Sequence, residues 1–246
     1  MSEAAPLYDR IGLDYANLRK PDPRIAARIE AALGDAKTIV NVGAGTGSYE
    51  PTRREVTAVE PSAAMIAQRP AGSAPVVQAR AEALPFPDDS FDAAMAVLTV
   101  HHWTDPLQGL REMRRVARGP VAVLTFEQGH PGTWLGDYLP EIRALDAGQT
   151  IPFEDYRRAL GEIDVQTVPI PHDCSDGFLY AYWRRPEAYL DPQVRSGSST
   201  FHVLTGLEPG LARLTDDLAS GAWRRRYGDL LTLDEFDAGY RLVVTR

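Results

Sequence analysis

The chain has little of what would staple it, export it or seat it in a bilayer. Cys174 is the single cysteine among 246 residues. No intrachain disulfide can form, which suits a reducing compartment. The opening MSEAAPLYDR has neither the basic region nor the apolar region of a signal peptide. No apolar run approaches the roughly 18 residues that a membrane helix needs. The expectation is a cytoplasmic protein without a membrane partner. Excess positive charge is missing too: 26 Lys and Arg stand against 34 Asp and Glu, a net −8. Such a chain gains nothing from neutralising phosphates, which disfavours a nucleic-acid partner. The arginine-rich stretches Arg111–Arg118 and Arg224–Arg226 read as solvated helix faces. Repeats and low-complexity segments are absent.

What is present is ordinary globular composition, 44% hydrophobic and 24% charged. The length fits one core with a cap. After an N-terminal arm over 1–20, Asp22 caps a helix with Pro23 in its first turn. Ile25, Ile29 and Leu33 form its stripe and Gly34 ends it. Thr38–Val42 reads as a buried strand; Glu55–Val59, Pro75–Gln78, Phe91–Val97 and Pro120–Phe126 follow as strands two to five. Asp105 and Pro106 open a helix with Leu107, Leu110, Met113 and Ala117 on one face. Strand alternating with helix means a parallel, doubly wound α/β sheet. Val165–Pro169 is expected as strand six and Tyr240–Thr245 as strand seven. The expected organisation is a lid arm (1–20), a cofactor-binding core (21–170), a helical cap inserted late (171–238) and a final core strand (239–246). Amphipathic pieces of the cap are expected near Phe178–Arg184 and Leu211–Trp223.

The sharpest signal is Val40-Asn41-Val42-Gly43-Ala44-Gly45-Thr46-Gly47 at the end of strand one. Glycines there permit positive φ and close approach of a ligand to bare backbone. A dinucleotide fingerprint needs its third small residue at 48, here Ser48, and a helix whose N-terminus holds pyrophosphate. The stretch Ser48–Arg54 contains Pro51 and is barely two turns long, so that helix is stunted. No lysine follows, which excludes a P-loop. Glu60 ends strand two, placed to accept from both hydroxyls of a ribose. The pattern suits a nucleoside ligand without phosphate.

Four blocks in order carry a resemblance: Asn41-Val42-Gly43-Ala44-Gly45-Thr46-Gly47; Val59-Glu60-Pro61-Ser62 with Met65; Ala81-Glu82-Ala83-Leu84-Pro85-Phe86 with Ser90-Phe91-Asp92; and Leu98-Thr99-Val100-His101-His102-Trp103. Over about residues 7–126 the chain resembles a class I methyltransferase of the ubiquinone/menaquinone-biosynthesis methyltransferase-like superfamily. The resemblance implies a Rossmann-like, mostly parallel seven-stranded sheet with an antiparallel last strand, and S-adenosylmethionine as cofactor. It implies that the loop of Gly43, Ala44, Gly45 and Gly47 passes beneath the cofactor's amino-acid part, and that Glu60, followed by Pro61, holds the ribose. Ala81 and Glu82 would flank the adenine. Met65 would pack on the adenine face or serve as core. Leu98 and Thr99 would line the methionine portion, and Tyr15 with Arg19 would close over the carboxylate. The chain departs from the family in two residues: Asn41 stands where an acid is usual, and Arg80 where an acid often contacts the adenine amino group.

Methyl transfer is an in-line displacement at a sulfonium-bound carbon, so the protein mainly aligns the partners and excludes water. A base is needed only for a protonated acceptor. Among five histidines, His101 (or His102) after strand four and His172 after strand six are the candidates. His172, Asp173 and Cys174 could form a polar cluster facing substrate. Aromatics of the insertion, Phe178, Tyr180, Tyr182, Trp183 and Tyr189, are divided between acceptor pocket and core. Histidine and cysteine spacing gives no metal site. The expected activity is methylation of O, N or C of a small molecule by a monomer or homodimer. The alternatives are non-methylating chemistry on the same cofactor, a nicotinamide-dependent oxidoreductase and a silent binding protein, since fold does not decide function.

Overall fold

The computed structural model describes residues 19–246; the expected lid residue Tyr15 lies outside them. Helix α1 (Pro23–Ala32) starts where the Asp22 carboxylate accepts the Arg24 N–H, and it buries Ile25 and Ile29. Then come β1 (Thr38–Val42), β2 (Glu55–Val59), α2 (Ala63–Ala67), β3 (Val76–Val77), β4 (Ala93–Val97), α3 (Pro106–Val116) and β5 (Val121–Phe126). Short helices α4 (Leu135–Tyr138), α5 (Glu141–Gln149) and α6 (Phe153–Leu160) lead to β6 (Ile163–Thr167) and β7 (Ile170–Pro171). The rest comprises α7 (Pro192–Arg195), α8 (Ser199–Val203), α9 (Glu208–Ala219), α10 (Ala222–Tyr227), β8 (Glu235–Phe236) and β9 (Tyr240–Thr245).

Seven strands form one sheet in the order β3-β2-β1-β4-β5-β9-β6, while β7 and β8 make a separate two-stranded ribbon. The pairs from β3 to β5 are parallel, and β9 runs antiparallel to both β5 and β6. This is the Rossmann-like architecture expected, antiparallel last strand included. Expected strand three shrinks to Val76–Val77. Strand six is shifted towards the N-terminus, to Ile163–Thr167, because its register runs from Ile163 opposite Thr245 to Thr167 opposite Arg241.

Both faces of the sheet are covered, and side-chain alternation sorts each strand between them. Ile39, Met95 and Leu124 join the core with α1 and the late helices; Val40, Val42, Ala94, Ala96 and Val123 join the core with α3 and α6. Residues 178–184 form turns, not an amphipathic helix. Phe178, Leu179, Tyr180, Ala181 and Trp183 are buried there and only Tyr182 and Arg184 are half-buried, so the segment lacks the one-sided exposure of an amphipathic helix. The Trp183 carbonyl takes the Trp134 indole N–H at 2.6 Å, and its own indole donates to the Ile170 carbonyl at 2.9 Å. These bonds tie the segment to the start of α4 and to β7.

Candidate functional site

Strand order reverses between β1 and β4, and open α/β sheets bind ligands outside the carboxyl ends of strands at such a point. A cleft of about 400 Å³ lies there, floored by the glycine loop. Gly43 and Ala44 both donate to the Val59 carbonyl, at 2.8 and 3.0 Å, which pins the loop to the neighbouring strand. Gly43 has φ +71°, and a Cβ on it would collide with the side chain of Thr99. Glu60 is buried, and its two oxygens accept the Gly45 N–H at 2.8 Å and the Ser62 N–H at 2.9 Å. Its carboxylate thus ties the glycine loop to the start of α2.

Asn41 is buried at the end of β1 and also lines the cleft. Its Nδ2 donates to Glu50 Oε1 at 3.2 Å, while its buried Oδ1 has no partner among the described residues. Arg69 Nη2 holds both Glu50 oxygens, at 2.9 and 2.8 Å, and Arg69 Nη1 donates to the Gly45 carbonyl at 3.2 Å. Gly47 does not line the cleft; a Cβ there would stand 3.2 Å from both Arg69 and Glu50, behind the loop. Asn41, Gly43, Ala44, Gly45, Glu60, Pro61, Met65, Ala81, Glu82, Leu98, Thr99 and His101 all line the cleft, and so does Arg19. Met65 is buried as well, so core and cleft are one position for it. Glu82 Oε1 accepts the Thr104 and Asp105 N–H groups, at 2.8 and 3.1 Å, at the start of α3.

Beyond β4, Leu98 adopts φ 51° and Tyr49, across the cleft, φ 65°. Positive φ is costly for such side chains, and strain of this kind clusters at working sites. His101 and His102 follow with ring centroids 4.0 Å apart. Burial, with help from the Arg19 charge, pulls His101 down to about 4. Burial, His101 and Arg19 pull His102 well below its ordinary value. Both imidazoles are neutral at physiological pH.

Arg19 is buried and binds Asp176 through Nε–Oδ1 at 2.6 Å and Nη2–Oδ2 at 3.2 Å. The Tyr49 hydroxyl donates to Asp176 Oδ2 at 2.9 Å. Tyr49 and Asp176 carry no motif, and 127 residues separate them, so nothing local in the sequence flags the pair. Gln149 lines the cleft likewise without a motif, and Trp103, the last residue of the fourth block, lines it too. His172 does not join the site. It stands in the turn after β7, where its Nδ1 lies 3.1 Å from the Asp234 carbonyl. The ribbon of β7 and β8 carries it away from the sheet's carboxyl edge. Cys174 is buried and burial pushes its thiol up to about 12, which makes it a poor nucleophile.

The residues fit an adenosyl sulfonium. The loop offers bare backbone, Asn41 Oδ1 is a buried acceptor without a donor among the described residues, and the carboxylate of Glu60, an acceptor at the cleft wall, stands at the end of β2. Turns rather than a helix occupy 47–54, so no helix N-terminus there can hold a pyrophosphate.

Comparison with known proteins agrees. A family model described as a methyltransferase domain matches residues 40–121. A solved structure from Anabaena variabilis, described as a methyltransferase from an antibiotic biosynthesis pathway, is 36% identical with a TM-score of 0.87. The match covers 93% of this chain and 99% of that one. The 2-methyl-6-phytyl-1,4-hydroquinone methyltransferase of Spinacia oleracea is 27% identical over 182 residues, which is 67% of this chain and 52% of that protein. The ubiquinone/menaquinone biosynthesis C-methyltransferase of Hahella chejuensis is 52% identical over 54 residues, 21% of this chain and 22% of that protein. The chain thus spans about half or less of the length of these curated relatives. With the fold, the phosphate-free nucleoside cleft and the Anabaena match taken together, the chain belongs to the class I S-adenosylmethionine-dependent methyltransferases, enzymes whose cofactor is S-adenosylmethionine.

Proposed function

We propose that the protein methylates an oxygen, nitrogen or carbon atom of a small-molecule acceptor, in the cytoplasm. One observation carries this reading: the cleft over the glycine loop shares Arg19, Leu98, His101 and Gln149 with a second chamber lined by Phe126, Phe178, Tyr180 and Tyr240. A donor cleft joined to an aromatic chamber is what in-line transfer to an organic acceptor needs.

When bound, the cofactor supplies a methyl carbon on a sulfonium, a potent leaving group. The chain's residues supply alignment and exclusion of water. In this reading Glu60 accepts from the ribose hydroxyls and Asn41 Oδ1 accepts from the ligand ammonium. Gly43, Ala44 and Gly45 let backbone approach the amino-acid part, and Gly47 lets the loop lie against Arg69. Pro61, Met65, Ala81 and Glu82 flank the adenine. Leu98 and Thr99 face the methionine portion, and Arg19 closes that end with Tyr15. His101, neutral and at the junction, takes a proton from the acceptor where one must leave. Residues 171–238 act as the acceptor-side cap over the core of 21–170.

Incubation with methyl-labelled S-adenosylmethionine and a broad acceptor panel tests the reading. It expects S-adenosylhomocysteine and a labelled small molecule. Methylthioadenosine as the product would mean attack at another sulfonium carbon and would favour the non-methylating alternative. Failure of the protein to bind S-adenosylhomocysteine at all would overturn both.

A further inference from the structure

The second chamber contains a charge that the fold does not neutralise. Three carboxylates withdrawn from solvent pair with cations: Asp176 with Arg19, Glu50 with Arg69 and Asp22 with Arg24. Asp146, half-buried on α5, lines the chamber and is not paired in this way. Its Oδ2 accepts the Tyr180 hydroxyl at 3.2 Å, and among the described residues no cation pairs with it. Burial pushes this carboxyl up to about 6, against the opposing hydrogen bond from Tyr180.

The walls around it are aromatic. Phe126 lies 5.7 Å from both Tyr180 and Tyr240, and Phe178 lies 4.8 Å from Tyr240, centroid to centroid. The Arg19 guanidinium borders the chamber, but Asp176 already balances its charge. His101, at the mouth, is neutral. A carboxylate left among aromatic rings loses hydration and recovers that loss only when a cation or a strong donor arrives. Aromatic rings add their own attraction for a cation. A neutral apolar acceptor would cover the half-buried carboxylate and bring it no donor beyond the Tyr180 hydroxyl.

We propose that the methyl acceptor is an amine, entering as an ammonium whose charge is held by Asp146 between the rings of Phe126, Tyr180 and Tyr240. The assignment rests on the reading of the adjoining cleft as the methyl-donor site. Asp146 is then the residue that selects the acceptor class. The amine is the recognition handle, so the methylated atom is whichever atom of that acceptor reaches the junction at Leu98 and His101.

Calorimetry on the full chain saturated with S-adenosylhomocysteine tests this, with matched probes: 2-phenylethylamine and benzylamine against 2-phenylethanol and benzyl alcohol. At neutral pH the amines are expected to bind at least about tenfold tighter than the alcohols. Asp146→Asn should bring the two within about twofold while leaving S-adenosylhomocysteine affinity unchanged, which also shows the variant folded. Tyr180→Phe keeps the carboxylate and should keep the preference, so the proposal does not hang on one variant. Alcohols binding as tightly as amines, neither probe class binding to cofactor-loaded protein, or a preference surviving Asp146→Asn would each overturn it. If S-adenosylhomocysteine itself does not bind, the donor-site reading is what has failed.

Discussion

Glu50 sets the orientation of the Asn41 amide. Nδ2 of Asn41 is turned towards the Glu50 carboxylate at 3.2 Å, and Oδ1 is left buried without a donor among the described residues. Arg69 holds that carboxylate with one nitrogen to both oxygens and reaches the loop carbonyl of Gly45 with another. The acid usual at position 41 is thus replaced by an amide whose direction is set by an acid behind it.

Substituting Glu50→Gln should release that orientation, since a glutamine can offer its own N–H to Oδ1. S-adenosylhomocysteine affinity is expected to fall by about 1–2 kcal/mol. An analogue without the α-amino group should bind the variant and the parent alike. Calorimetry with both ligands checks it; equal losses for the two would mean that Glu50 only supports the loop.

Glu60→Gln removes one of two acceptor oxygens, so either Gly45 or Ser62 loses its partner. Affinity for S-adenosylhomocysteine should drop by about 1.5–3 kcal/mol, the range for hydrogen bonds to a charged group. Adenosine alone should suffer as much as the whole cofactor, because the loss lies at the ribose.

Gly43→Ala places a methyl into Thr99 at φ +71°. The fold should lose at least about 2 kcal/mol in urea denaturation. Pairing it with Thr99→Gly should recover the collision and leave only the backbone cost.

Asp176→Asn breaks a buried ion pair and leaves the Arg19 guanidinium uncompensated. A loss of about 3–5 kcal/mol is expected. The reverse substitution, Arg19→Met, should cost stability too but also weaken ligand binding, since Arg19 lines the cleft and Asp176 does not.

Stability should fall as pH drops from about 6.5 towards 4. His101 titrates near 4 in the fold but near 6.5 when unfolded, so in that window the unfolded chain binds more protons; His102 adds to it in the same direction. Asp146 has the opposite sign. It titrates at about 6 in the fold against 3.8 unfolded, so acid relieves it. Without ligand, Asp146→Asn should therefore be more stable than the parent at pH 7, by on the order of 2 kcal/mol, with the gain vanishing near pH 4. Thermal unfolding across pH 4–7 reads both; a gain that persists at pH 4 would contradict the assignment.

Much of the site is legible because its parts are local. Gly43 and Gly45 act through their own backbone and Glu60 through groups within fifteen residues, so a short window carries their chemistry. Helix α1 is read from Asp22 and Pro23 for the same reason: caps and first turns are set by adjacent residues. The misreadings are non-local. His172 looks like a neighbour of the site because strand six precedes it, yet a small ribbon pairing Ile170 with Phe236 diverts it. The segment 178–184 has helix-compatible apolar spacing, but burial of five of its seven residues, four of them consecutive, erases the contrast that periodicity depends on.

Through its resemblance to a known family the sequence implied the cofactor class, and by itself it determined the α/β alternation, the phosphate-free glycine loop and the carboxylate at 60. Each follows from neighbours along the chain and from the period of apolar residues. Only the tertiary structure decided that Asp176 pairs with Arg19, that Glu50 orients Asn41, that His101 stands between two chambers and that Asp146 has no cation beside it among the described residues. Most of those relationships join residues far apart in the chain, and all of them turn on burial and direction, which exist only once the sheet has brought its layers together.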